Sequence, residues 1–595
     1  MRIQSQTRSS LVTLAYMATK SGIPTQKHAG SGLLYIDMPV RMLCAYADEE
    51  TPTTGVFLTR LEEKTPGNWV LEADPPRDLL QGSELSFPSW LAFDNSYELS
   101  PHGLYVSAVG PCFDVSRTFS GELYFVPFDT NGSPVAKTRL GLSGWTGMPH
   151  SVSVSKDCVL FLQSQRWDTT FDHDTIFLVD NDNGDRPAEA VPVRLYLDDA
   201  RDVEWKPLVL SVQWSSETSK SSRTVHIVVE ERGKKEAWQV RLTPSAPEDL
   251  FVGFLGFATH QLLQDGCISS MAAFSNNEGA HVLTTRSTFD TPCITELVSM
   301  PTHNSSGKPQ VRLLDKVLFN ESTATHQNIT VPSSCATYTI QAFLHKPTGT
   351  APQGEKHPVV LLIHGGPSDA WRNNWTRNWN PHLWTAAGFA VVTPNLSGST
   401  GFGLPFALSV HQNWGGRPLA DIVSVLDHLT ANADTYGVDV DRVVAAGPSF
   451  GGFLINFLAG HPALARRFRA LIVHGGIFHT QNLLAADVPV VFAADFGGLP
   501  WEREAVEVWR HWDPAALVGE WTTPVLFTHG NIDYRVPVTE ALAAFHAARL
   551  RGVPTELLIF PDEAHQIVKS GNIIQWQTKL LEWSLRWTAS VSYSP

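Results

Sequence analysis

The chemistry in this chain is first visible at Gly447-Pro448-Ser449-Phe450-Gly451, which follows the apolar run Val443 to Ala446 and leads into an apolar helical pattern from Gly452. A G-x-S-x-G set between strand and helix lifts the serine onto a turn too sharp for side chains on either flank, and Gly452 lets the helix start close to the sheet. Such a serine becomes a nucleophile when a base takes its proton and a carboxylate holds that base in one tautomer. Two later strand ends offer these groups. Thr528-His529-Gly530-Asn531-Ile532-Asp533 places Asp533 after the run Val525 to His529, and Phe560-Pro561-Asp562-Glu563-Ala564-His565 places His565 after Glu556 to Phe560. The expected reaction is acyl transfer, with attack by Ser449, His565 as general base and Asp533 orienting the imidazole. Asp487, Asp495, Asp562 and Glu563 compete for the acid role, but none follows a predicted strand in the required order. His529 and His546 read as a strand-end and a helix-face histidine.

An oxyanion needs two donors, normally backbone amides. The first expected donor is the N–H of Phe450, directly after the serine. The second is Gly366, in His364-Gly365-Gly366-Pro367 at the end of the run Val360 to Ile363, where glycines let the backbone approach a substrate carbonyl. Gly398-Ser399-Thr400-Gly401-Phe402-Gly403 reverses the dinucleotide fingerprint and reads as a loop packing near the site. No H-E-x-x-H occurs and the histidines do not recur at ligand spacing, so neither a metal nor a cofactor is expected.

These residues must be carried by elements of two kinds. After Thr337 apolar runs alternate with helical patterns, the signature of a parallel sheet with crossover helices. The predicted strands are Val359 to His364, Ala390 to Pro394, Val443 to Gly447, Ala470 to His474, Val525 to His529 and Glu556 to Phe560. The predicted helices are Leu419 to Thr430, Gly452 to Ala459, Val538 to Leu550 and Ile573 to Trp587. The order serine, acid, histidine is that of α/β-hydrolases. Upstream, strand-turn-strand stretches at Leu99 to Val106, Ser153 to Leu162, Val209 to Val229 and Met271 to Thr285 start 54, 56 and 62 residues apart, which predicts a β-propeller of roughly five to seven blades. A pair of β-sandwiches is the alternative. The expected division is a disordered leader over 1–32, an all-β propeller over 33–335, incomplete or shortened at its N-terminal side, and an α/β-hydrolase domain over 336–595.

Composition limits the partners. Charged residues are 17% of 595 and the net charge is −15, with no basic stripe, which excludes nucleic acid from the expected partners. No apolar run approaches the ~18 residues of a membrane-spanning helix. The 6 cysteines contain no C-x-x-C pair and none lies after Cys335, so thiol chemistry is absent from the catalytic region. The run Leu11 to Ala18 is broken by Thr13 and Tyr16 and lacks a cleavage site, so the cytoplasm is the default expectation, with a secreted or organellar location as the alternative. Oligomeric state is left open.

Taken in order, His364 to Pro367, Arg377-Asn378-Trp379-Asn380-Pro381, Gly398 to Gly403, Trp414-Gly415-Gly416, Gly447 to Gly452, His529 to Pro537 and Phe560 to His565 resemble the prolyl oligopeptidase family, in its dipeptidyl peptidase V and acylaminoacyl peptidase branch. The resemblance implies a serine peptidase releasing dipeptides or acyl-amino acids from short peptides, with the propeller limiting access. It supports Ser449, Asp533 and His565 as the triad, and it implies that Arg535 contacts a substrate carbonyl, against a surface salt-bridge reading. A free substrate amine would need a propeller carboxylate, for which Asp172 is the candidate. Phe450 stands where the family has tyrosine, Pro448 where a small residue is common, and Ala564 where relatives carry a polar residue. Two other functions fit parts of the pattern. One is an esterase acting on a small acyl substrate; the other is an inactive propeller binding protein, against which the complete triad argues.

Overall fold

The computed structural model describes residues 355–589 apart from Val488, and before them a series of strands with some of the connecting turns; side chains are described from Tyr105 onward. In the catalytic region an eight-stranded sheet has the order Ala324–Pro332, Thr339–Pro347, Ala390–Asn395, His357–Leu362, Val438–Pro448, Ala470–His474, Val525–Gly530 and Thr555–Phe560. The first two strands are antiparallel, and from Ala390–Asn395 onward neighbours run parallel. Five of the six apolar runs read from the sequence are thus strands buried on both faces, as central parallel strands must be, while the sixth is the half-buried edge strand Thr555–Phe560. Successive residues go to opposite faces. Val359, Leu361, Val443, Ala445, Leu471 and Val473 pack with Ile422, Val425, Phe453 and Ala541 of helices Arg417–Ala431, Phe450–Ala459 and Thr539–Leu550. Val360, Leu362, Val444, Ala446, Ala470 and Ile472 pack instead with Trp576, Leu580 and Trp583 of helix Ser570–Thr588.

Among the described residues, four antiparallel four-stranded units lie between Tyr97 and this sheet. They are Tyr97–Leu99 to Thr138–Leu140, His150–Val154 to Val191–Leu197, Leu208–Trp214 to Phe254–Leu263, and Cys267–Asn276 to Gln310–Val317. Each of the four recurring stretches in the sequence falls on the first two strands of one unit. Innermost strands touch from unit to unit: Val212 N–H donates to Ser151 Oγ at 3.0 Å, and Ala273 N–H to Gln213 Oε1 at 3.2 Å. This is the radial arrangement of propeller blades.

Two boundaries differ from the sequence reading. The catalytic sheet begins at Ala324, before residue 336, because Ala324–Pro332 pairs along its length with Thr339–Pro347 as a hairpin. That strand is largely polar and half exposed, so its composition gives no sign of belonging to a buried sheet. Within 1–32, where disorder is expected, Arg2–Ser5 and Leu11–Thr19 are strands, the second paired with Thr53–Thr65.

The two domains meet around a buried ion cluster. Arg372 lies 2.8 Å from Glu230 of the propeller and 2.8 Å from Asp369, and its Nη2 donates to Thr400 at 3.3 Å. Thr400 also donates to Glu230, while Arg232 N–H donates to Gly401 O at 2.9 Å. The Gly398 to Gly403 loop therefore packs against the propeller. Removing one partner of a buried pair leaves the other charge without compensation, at ~3–5 kcal/mol. Arg372→Ala should lower stability by about that amount in denaturant unfolding, and adding Glu230→Gln should recover much of the loss.

Candidate active site

Ser449 sits at φ 53°, ψ −120°, between the strand Val438–Pro448 and the helix Phe450–Ala459. A residue with a side chain rarely adopts this left-handed backbone, so the flanking glycines must remove every other obstacle. A Cβ on Gly447 would lie 2.7 Å from the Ile363 carbonyl, one on Gly451 2.4 Å from the same oxygen, and one on Gly452 2.7 Å from Gly476 Cα. The turn is thus wedged between the ends of two neighbouring strands. Ser449 N–H donates to His474 O at 2.8 Å, and Ser449 O accepts from Phe453 N–H at 2.8 Å, the first bond of the helix. The helix starts two residues earlier than the sequence pattern predicts.

Phe450 is the first residue of that helix, so no carbonyl within the helix reaches its N–H. Its ring is buried and meets Trp414 edge-on, with centroids 5.2 Å apart. A Cβ on Gly365 would lie 3.4 Å from Ser449 Cβ, which places the His364 to Pro367 loop directly beside the serine. Gly366 has φ 118°, and a Cβ there would lie 2.6 Å from Ser368 N, so only glycine fits this point of the loop. The two expected donors are therefore carried on the two segments that flank the serine.

Asp533 is a fully buried carboxylate with four hydrogen bonds. Oδ1 accepts from Arg535 N–H and Val536 N–H, both at 2.9 Å, while Oδ2 takes His565 Nδ1 at 2.7 Å and His529 Nε2 at 3.2 Å. Burial raises its pKa, but the hydrogen bonds and charges of His529 and His565 outweigh that and hold it well below the usual carboxylate range. With Nδ1–H bound to Asp533, a neutral His565 keeps its lone pair on Nε2, as a general base requires. A Cβ on Gly475 would lie 3.3 Å from His565 Nδ1 and 3.4 Å from Asp533 Oδ2. Since His474 O holds the Ser449 amide, all three residues converge on His474-Gly475. The arrangement can take a proton from a serine hydroxyl and offer backbone donors to an oxyanion.

Several supporting residues are not evident from the sequence. His529, expected to be a plain strand-end histidine, is fully buried and directs Nε2 at both Val536 O (2.8 Å) and Asp533. His474 donates to His565 O at 3.3 Å and meets Thr528 Oγ1 at 2.9 Å; burial, then the charges of His529 and His565, lower it to about 3, so it stays neutral. Glu563 accepts from Val568 N–H at 3.0 Å and Lys569 N–H at 2.9 Å, closing the loop that carries His565. The acid and histidine loops are laced by Ile532 N–H to Glu563 O at 3.0 Å, and a Cβ on Gly530 would lie 2.0 Å from Ala564 O. The only signal for these roles is proximity to the two strand ends.

Of the other candidates, Arg535 forms an ion pair with Asp487, at 2.7 and 3.3 Å, so the salt-bridge reading describes its contacts here. Asp172 lies outside the described residues. Asp495 lies 3.4 Å from His411, and Asp562 is bound to Lys569 at 2.5 Å, which occupies two of the competing carboxylates.

Asp533→Asn should lower kcat by roughly 10⁴-fold with little change in fold, because the amide cannot hold the same imidazole tautomer. The depressed carboxyl also fixes a pH signature. Its folded pKa lies below the unfolded value of ~3.9, so its stabilisation is complete above ~pH 5 and disappears as pH falls. The Tm difference between wild type and Asp533→Asn should shrink as pH falls below ~pH 4. Gly530→Ala should displace the His565 loop and reduce kcat far more than Tm.

Residues 374–590 match the model of the prolyl oligopeptidase family. The chain is 34% identical over 336 residues to a dipeptidyl-peptidase 5 of Schizosaccharomyces pombe, covering 56% of this chain and 47% of that protein. It thus spans about half the length of that relative. A dipeptidyl-peptidase 5 of Arthroderma otae is 27% identical over 575 residues, covering 94% of this chain and 73% of the relative. Among solved structures, an acylaminoacyl peptidase of Pyrococcus horikoshii superposes with a TM-score of 0.68 at 16% identity, covering 100% of this chain and 83% of that one. That likeness establishes the propeller and α/β-hydrolase fold. Over residues 374–590 the chain is thus similar to the prolyl oligopeptidase family.

Proposed function

We propose that this chain is a serine peptidase that hydrolyses short peptides through an acyl-enzyme on Ser449. The observation that carries the reading is Ser449 held at φ 53° with its amide on His474 O, next to Gly475, against which the hydrogen-bonded pair His565 and Asp533 lies. In this mechanism Ser449 Oγ attacks the scissile carbonyl as His565 Nε2 takes its proton. The amides of Phe450 and Gly366 bind the oxyanion, and the imidazolium then protonates the leaving amine. Water enters, gives its proton to the same nitrogen, and releases the acyl group. Asp533 stays ionised throughout and holds the ring.

Dipeptide release is the favoured specificity, supported by the relatives named dipeptidyl-peptidase 5. The propeller touches the loop Gly398 to Gly403 that follows strand Ala390–Asn395, and by limiting access it would exclude folded proteins. A cavity of about 1130 Å³ opens between Glu230, Arg232, Tyr338 and Phe402 at the domain junction; none of the three catalytic candidates lines it, so it is not the acyl site.

A fluorophosphonate probe should label the wild type and leave Ser449→Ala unlabelled. Absence of serine-dependent labelling would overturn the enzyme reading. Dipeptidyl anilides should be cleaved faster than acyl-aminoacyl anilides. Turnover of simple esters with neither anilide cleaved would instead establish an esterase.

A further inference from the structure

Away from the serine, histidines that are distant in sequence gather where the last described blade meets the outer edge of the catalytic sheet. Asp290 lies in the turn between strands Gly279–Ser287 and Cys293–Ser299, His326 on Ala324–Pro332, and His382 at the start of the short helix His382–Thr385. Asp290 Oδ1 is 3.0 Å from His326 Nε2 and 3.3 Å from His382 Nε2, and the three ligand atoms lie within 4.8 Å of one another. Tetrahedral ligands ~2.0–2.1 Å from a zinc ion are ~3.3 Å from each other, so the spacing is that of a half-assembled coordination sphere.

We propose that Asp290, His326 and His382 bind a zinc-class divalent cation that fastens the propeller to the catalytic sheet. Two imidazoles and one carboxylate are a ligand set that suits zinc, with a fourth position left to solvent. Access is open on one side, since the Asp290 side chain is 41% exposed while those of His326 and His382 are 14% and 5% exposed.

A ligating imidazole binds through a nitrogen without a proton, and its other N–H needs an acceptor. His326 has one in place: its Nδ1 lies 2.7 Å from His345 Nδ1, and His345 Nε2 lies 3.2 Å from Thr393 Oγ1. With the cation bound, the His326 proton sits on Nδ1 and donates to His345, whose Nε2–H donates to Thr393. Without it, His326 Nε2–H can donate to Asp290 and the relay reverses. The rings are further fixed by Phe289, which stacks edge-on against His345 at 4.6 Å. In sheet order His326 and His345 are on the first two strands, whereas Ser449, Asp533 and His565 follow later ones. The site is therefore structural and takes no part in acyl transfer.

The test uses the full untagged chain, stripped with a chelator and titrated with CoCl₂. One equivalent should give the visible absorption of four- or five-coordinate cobalt, ZnCl₂ should displace it, and zinc should raise the Tm. Asp290→Asn, in an exposed turn, and His326→Gln should each weaken zinc binding by at least ~100-fold and abolish the Tm response, while fluorophosphonate labelling of Ser449 persists. No cobalt spectrum in the wild type would overturn the proposal and leave the cluster a hydrogen-bonded network. So would unchanged zinc affinity in Asp290→Asn.

Discussion

The catalytic geometry rests on one backbone conformation, the left-handed turn at Ser449. It costs about 1–3 kcal/mol for a residue with a side chain, so it persists only where the surroundings allow no alternative. Here the surroundings are the ends of two buried parallel strands. Ile363 O presses against Gly447 and Gly451, and His474 O takes the Ser449 amide. Gly447, Gly451, Gly452 and Gly476 must be glycine because the sheet has already fixed where the strands end. The apolar packing on both faces of the sheet supplies the stability that this strain draws upon.

Electrostatics follow from the same arrangement. The Asp533 carboxylate is taken out of water and then given four donors, two from its own loop and two from imidazoles. Each donor removes a degree of freedom, so Oδ2 is held on His565 at 2.7 Å with His529 at 3.2 Å as its second partner. His474 stays neutral beneath it, filling space and holding the His565 backbone without adding a second positive charge. The division of labour among three neighbouring histidines is set by what each faces: a carboxylate and solvent for His565, a carboxylate and a carbonyl for His529, a hydroxyl and a carbonyl for His474.

The propeller is coupled to this centre through the loop that begins at His364. Gly365 and Gly366 lie by the serine, and a few residues later Arg372, paired with Asp369, is bound to Glu230 of the propeller. A shift of the blade that carries Glu230 would therefore be felt at Gly366, the proposed second oxyanion donor. The Asp290, His326 and His382 cluster ties a different blade to the far edge of the sheet, so the two contacts together fix the domains at separate points.

Local sequence determined much of this. Glycine spacing, apolar runs and the order serine, acid, histidine are each set by nearest-neighbour sterics and burial, so the elbow, the parallel strands and the triad candidates could be read directly. The first two strands of four blades were legible for the same reason, as short apolar runs around a turn. Tertiary structure decided the rest, because each remaining feature depends on groups brought together from distant positions. The polar strand Ala324–Pro332 joins the catalytic sheet only by pairing with its neighbour, and His529 and His474 acquire roles only once Asp533 is placed among them. Arg535 is turned to Asp487 by a loop 48 residues away. Histidines 326 and 382 meet Asp290 only when the propeller closes on the sheet, and no spacing rule along the chain contains that contact.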